Sequence, residues 1–168
     1  MRFDPMEPMA LLPEFTSTFL ARLRGQLADH TKPPELAYLD ENGDQVAAES
    51  TSSTGNMLAV VPLWGTLSPR GDYGGTSLDS FARLITSLDG NPNVSKILIN
   101  VTSPGGTVVG TPEASDAVRR VRDAGNTQIV AIANGMMASA ALWIGAAASE
   151  LVVTPSYEAI LVTRNCYI

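Results

Sequence analysis

Apolar positions along this chain fall into two rhythms. Met57–Leu63, Lys96–Val101, Gln128–Ala133 and Glu150–Thr154 are short runs dominated by Val, Ile, Leu and Ala, the pattern of strands buried on both faces. Between the first two runs, Leu78, Phe81, Ala82, Ile85 and Leu88 fall on one face of a helix. Thr76 as N-cap with Asp79 three residues on reads as its start, and Gly90 with Asn91-Pro92 as its stop. A second helix opens with Thr111 as cap and Pro112 in the first turn, and closes at Gly125. A third, 138–148, comes after Asn134-Gly135-Met136-Met137. Strand and helix alternate throughout, which requires parallel strands joined by right-handed crossovers and predicts an α/β domain.

The segment ahead of this domain has a different texture. Phe15, Phe19, Leu20, Leu23 and Leu27 fit a helix over 9–27, and 28–56 is polar, Pro-, Gly- and Ser-containing sequence of the kind that makes an irregular arm. The expected division is therefore an N-terminal helix and flexible arm over 1–55 and the domain proper over 56–168. At 168 residues there is room for one core.

Charge removes several function classes. A net charge of -6 and an isoelectric point near 4.6 argue against nucleic acid as a partner. The single histidine, His30, sits among Asp29, Lys32, Pro33 and Pro34, a solvated loop setting. With the single cysteine, Cys166, it makes no cluster of metal-ligand spacing, so neither metal nor cofactor is expected. The first residues carry acids and prolines where a secretory signal has a basic stretch and an apolar core. Residues 128–149 are uncharged and long enough to span a bilayer, but Asn134-Gly135 interrupts them and they are rich in Ala rather than Leu. A buried strand, a turn and a buried helix are expected there, not a membrane span.

In open parallel sheets the loops beyond the carboxyl ends of the strands carry function. Two such loops stand out: Ser103–Gly110, beginning Ser-Pro-Gly-Gly, and Asn134–Ser139. Consecutive strands make them neighbours in space. The second places Ser139 at the first turn of an apolar helix, where unpaired N–H groups favour developing negative charge. A serine nucleophile needs a base, and the tetrahedral intermediate of acyl transfer needs two donors. The N–H of Gly106 or Gly105 and that of Ala140 fit that need. The plainer readings are Ser139 as a helix N-cap and Gly105-Gly106 as a tight turn. The spacing of Gly105, Gly106 and Gly110 is not that of a dinucleotide fingerprint.

Four stretches together carry a resemblance: Val60-Val-Pro-Leu-Trp-Gly-Thr66, Ile99-Asn-Val-Thr-Ser-Pro-Gly-Gly106, Gly135-Met-Met-Ala-Ser139, and Ala146-Ala-Ala-Ser-Glu-Leu-Val-Val-Thr-Pro155. They resemble, in order, the signal peptide peptidase A family of serine–lysine peptidases, which has the Clp/crotonase fold. Glu7-Pro-Met-Ala-Leu-Leu-Pro-Glu14 resembles the leader of the phage and prophage capsid-assembly branch. The resemblance implies Ser139 as nucleophile, Gly106 and Ala140 as the oxyanion-hole N–H groups, and Gly105 as a shaper of the loop. It also implies a homo-oligomeric ring acting on scaffold or portal proteins in the host cytoplasm or the prohead.

Three departures qualify what the resemblance implies. Thr102 stands where the family usually has Asp, and Ala140-Ala141 where it often has Gly-Gly. More seriously, Tyr157–Ile168 does not resemble the family's continuation towards a lysine base. The lysines are Lys32, in the arm, and Lys96, at the wrong end of a strand, and no histidine lies beyond Ser139. The expectation is a truncated, frame-shifted or fragmentary serine peptidase, weakly active or inactive alone. The alternatives are a non-catalytic assembly or scaffold-binding subunit, a bacterial signal-peptide-degrading peptidase, and a crotonase-like acyl-CoA enzyme, which needs no serine.

Overall fold

The apolar runs form the centre of one sheet in the computed structural model, which describes residues 35–40, 42–47, 57–71 and 74–154. The helix expected over 9–27, His30, Lys32, and the stretch 157–168 with Arg164 and Cys166 lie outside the described residues. Strands β1 (Ala37–Leu39) and β2 (Gln45–Val46) are succeeded by β3 (Met57–Leu67), helix α1 (Leu78–Asp89), β4 (Val94–Gly106), α2 (Thr111–Ala124), β5 (Gln128–Met137), α3 (Ala140–Gly145) and β6 (Glu150–Val153). The sheet order is β2-β1-β3-β4-β5-β6, with β3 to β6 parallel as the alternation requires.

Each crossover steps one strand in the same direction, so right-handed connections place every helix on one face. Packing agrees with this. Ala59, Val61, Leu63, Ile97, Ile99, Val101, Ile129, Ala131 and Ala133 meet the helices in one buried cluster. Leu39, Leu58, Val60, Leu98, Val130 and Ile132 form a second cluster on the other face. Strand residues alternate between the faces, and both faces are buried, which explains the unbroken apolar runs.

Several expected boundaries move. Residues 37–46, assigned to the arm, form an antiparallel hairpin added to the edge of β3. The Asn42-Gly43 pair is a strong hairpin signal, and Asp40 Oδ1 accepts from the Asn42 and Asp44 N–H groups within the turn. The cap of α1 is Ser77 rather than Thr76: its hydroxyl accepts from the Ser80 N–H at 3.2 Å. Thr76 Oγ1 is engaged elsewhere, accepting from the Trp64 N–H and donating to the Trp64 carbonyl. Gly110 caps α2, and Thr111 is its first residue. Helix α3 has six residues, not the eleven spanned by 138–148.

Helix α2 brings small side chains, Ala114, Ala117 and Val118, to the sheet, and Arg122 donates to the Ala147 carbonyl at 3.1 Å, tying α2 to the chain beyond α3. Ser115 is buried in the same face, and its hydroxyl has no partner among the described residues. An unpaired buried hydroxyl costs desolvation energy, and Ala is the better helix former. Ser115→Ala is therefore expected to stabilise the protein by about 1 kcal/mol, measured as a higher midpoint in urea; a lower midpoint would contradict the burial.

Candidate active site at the bulged ends of β4 and β5

Ser103-Pro-Gly-Gly106 is not a corner but the last part of β4, and Asn134–Met137 likewise ends β5. Both stretches leave regular register. Between β3 and β4 the pairing runs from Trp64↔Thr102 to Thr66↔Gly105, which leaves one extra residue in β4. Between β4 and β5 it runs from Val101↔Ala133 to Ser103↔Met137, which leaves two extra residues in β5. Bulges at the same level in both pairings bend the strand ends and re-aim the chain beyond them.

Polar contacts hold this bend together. Thr102 Oγ1 donates to the Asn134 carbonyl at 2.8 Å, and Asn134 Nδ2 donates to Asn100 Oδ1 at 3.3 Å, both amides being buried. Thr102 thus has a local role as a bulge clamp at the position where the family usually carries Asp.

The bulge in β5 delivers Ser139. Its φ of 54° and ψ of -121° make it the one described non-glycine residue with positive φ. It occupies the N-cap position of α3 without making a side-chain cap bond, so the plain capping role is not what the structure shows. A serine in a strained strand-to-helix turn is left with its hydroxyl presented outward, and Ser139 is exposed.

The two strand ends do meet. A Cβ on Gly105 would stand 2.7 Å from Ser139 Cβ, 2.8 Å from the Ala138 carbonyl oxygen and 3.1 Å from the Ala140 nitrogen. Gly105 is therefore packed against Ser139 and Ala140, with Gly106 the next residue along β4. The two glycines differ in their surroundings. Gly105 is buried and its N–H donates to Ser103 Oγ at 3.0 Å. Gly106 is exposed. The Thr107 N–H donates to the Leu67 carbonyl on the β3 side at 2.9 Å.

No described residue stands as a base beside Ser139. Lys96 is the lysine among the described residues, and it pairs with Gln128 at the amino end of β4. At about 3.3 Å per residue it lies on the order of 20 Å along the strand from Ser103. Burial lowers its pKa, a shift often associated with catalytic lysines, but here a consequence of its place at the sheet. Burial also raises the Glu150 carboxyl, at the same remote end. With α3 shorter than two turns, the local N–H groups rather than a long helix dipole carry whatever stabilisation the site offers.

Parallel β-α units with helices on one face of the sheet define an α/β fold, with the strained serine and the diglycine at the carboxyl ends of its strands. No family model matches the sequence. The chain is 31% identical over 166 residues to capsid assembly protease C of Escherichia phage lambda, covering 88% of this chain and 37% of that protein. It is 25% identical over 165 residues to head-tail preconnector protein GP5 of Enterobacteria phage P21, covering 88% and 32%. A solved ClpP1 mutant from Listeria monocytogenes gives a TM-score of 0.40 at 22% identity, over 53% of this chain and 46% of that one. The chain is thus similar in sequence to a phage capsid assembly protease, and it spans about a third of the length of the curated relatives it matches.

Proposed function

We propose that this chain carries the nucleophile and oxyanion half of a serine endopeptidase of phage or prophage capsid maturation. The observation that supports it most is the conformation of Ser139, strained, uncapped and packed against Gly105. In this reading Ser139 Oγ attacks the scissile carbonyl carbon while its proton passes to a base. The carbonyl oxygen takes the negative charge and is held by the N–H groups of Gly106 and Ala140. Collapse expels the protonated amine, leaving an acyl-enzyme that water then cleaves. Val108, Val109 and Met136 are exposed apolar side chains close in sequence to Gly106 and Ser139, suited to meeting a peptide.

Scaffold and portal proteins as substrates, a homo-oligomeric ring, and action in the host cytoplasm or prohead belong to the same reading. No helix among the described residues is long and apolar enough to cross a membrane. A second reading is a non-catalytic assembly or scaffold-binding subunit. Without its base a serine site loses several powers of ten in rate. Treatment with a fluorophosphonate, with mass spectrometry as readout, separates the two. Slow labelling confined to Ser139 and abolished in Ser139→Ala supports the peptidase. Absence of an adduct, even with a lysine-bearing C-terminal extension supplied, supports the assembly subunit.

A further inference from the structure

We propose that Ser103 is a positioning residue that selects the Gly106 N–H as the oxyanion donor and fixes its distance from Ser139. The inference rests on the reading of Ser139 as nucleophile and goes beyond it in assigning work to a side chain outside the reacting set.

Ser103 is fully buried, and its hydroxyl and its carbonyl are both committed to parts of the site. Its hydroxyl donates to the Gly65 carbonyl of β3 at 2.6 Å and accepts from the Gly105 N–H at 3.0 Å. Its carbonyl accepts from the Ala138 N–H at 3.2 Å, one residue before Ser139. One side chain and its own peptide therefore tie together the neighbouring strand, the diglycine and the flank of the nucleophile. The register places this tie at the bulge level, where Ser103 pairs with Met137 and the regular ladder is interrupted on both sides. A bulge leaves backbone groups without ladder partners, and Ser103 Oγ takes up the one on Gly105. That commitment removes Gly105 from competition as a donor and leaves Gly106 as the exposed glycine of the pair. Pro104 between them has no N–H and a restricted φ, so the short span from Ser103 to Gly105 has little freedom to relax.

A buried serine that only satisfies its neighbours would affect stability alone. A positioning serine affects how fast Ser139 is acylated, without affecting how tightly a probe is first held. Ser103→Ala is therefore expected to slow the first-order acylation step of fluorophosphonate labelling by about ten- to a hundredfold, the usual effect of small misplacement at a reacting centre. The concentration for half-maximal rate is expected to stay within about twofold, since the hydrogen bonds lost do not touch the probe. Val118→Ala, in α2 and remote from the site, serves as a destabilised control whose labelling stays at the wild-type rate. Ser103→Cys keeps a weak donor and acceptor, and it is expected to label at an intermediate rate; it also replaces the alanine variant if that one fails to fold.

Amide hydrogen exchange provides the independent reading. The Gly105 amide is expected to exchange slowly in the wild type and at least about tenfold faster in the Ser103 variant, as befits an N–H that has lost its acceptor. If wild-type Ser139 does not label at all, the nucleophile reading fails, and Gly105 exchange alone decides whether Ser103 organises the strand end. Labelling by the Ser103 variant within twofold of wild type, or an unchanged Gly105 amide, overturns the proposal.

Discussion

Gly106→Ala is expected to lower the thermal midpoint by roughly 10 °C, or to prevent soluble expression altogether. A Cβ at this position would stand 1.9 Å from the Leu67 carbonyl oxygen and 2.6 Å from both the Leu67 nitrogen and carbonyl carbon. These are backbone atoms of the paired strand, so no side-chain rotation relieves the overlap. Either β4 must shift away from β3, breaking the Leu67↔Gly106 register and the bond from the Thr107 N–H to Leu67, or the bulge must be rebuilt. Overpacking of this kind costs about 3 kcal/mol or more. Gly90→Ala is the matched control: its nearest non-bonded neighbour would be the Ser87 carbonyl oxygen at 3.7 Å, at a helix end in ordinary right-handed geometry, and no loss is expected. A thermal melt of the two variants reads the difference directly. Equal midpoints would show that the β3 and β4 ends are not in close contact.

Ser139→Gly is expected to raise stability while abolishing labelling by acylating probes. A non-glycine residue held at φ 54° and ψ -121° carries strain of about 1–3 kcal/mol that glycine does not. Glycine also adds entropy to the unfolded chain, so the expected net gain is about 1 kcal/mol. Ser139→Ala keeps a Cβ and hence the strain, and it is expected to melt within about two degrees of the wild type. Both variants lack the hydroxyl and are expected to be inert to the probe. The informative comparison is thus between two dead variants. If the glycine variant is no more stable than the alanine variant, Ser139 is not strained, and the support that its conformation lends to a nucleophile is withdrawn.

A stabilising substitution at the proposed nucleophile is what a site that trades stability for reactivity should show. The same logic orders the surrounding residues. Gly105 and Gly106 are required by close backbone approach, Thr102 and Asn134 by the bulge, and Ser103 by the two groups its hydroxyl joins. Two of these contacts are far from local in the chain: Ser103 reaches Gly65, and Thr102 reaches Asn134.

That distinction separates what is legible in the sequence from what is not. The parallel order of β3 to β6 can be read from alternating apolar runs and amphipathic helices, because the periods of strand and helix are set by local backbone geometry. The helix stop at Gly125 is legible for the same reason, and there the residue does take up left-handed φ. The cap of α1 lies one residue beyond its expected place because Thr76 is drawn to Trp64, a competitor twelve residues away that no local pattern contains. The hairpin at 37–46 escapes the pattern although Asn42-Gly43 signals it, since its strands are short and their polar neighbours read as an arm.

At the site, the residue types and their order alone single out Ser139, Ala140 and the diglycine, through motifs whose chemistry is local. The sequence also fixes the net charge and the scarcity of lysine and histidine. Only the tertiary structure decides that Ser-Pro-Gly-Gly continues a strand, that the Gly105 N–H is occupied while Gly106 is exposed, and that Ser139 is strained rather than capping. Each of those depends on strand register. Register is settled by how two bulged strands pack against a third, an energy shared among residues far apart in the chain and carried by no one of them.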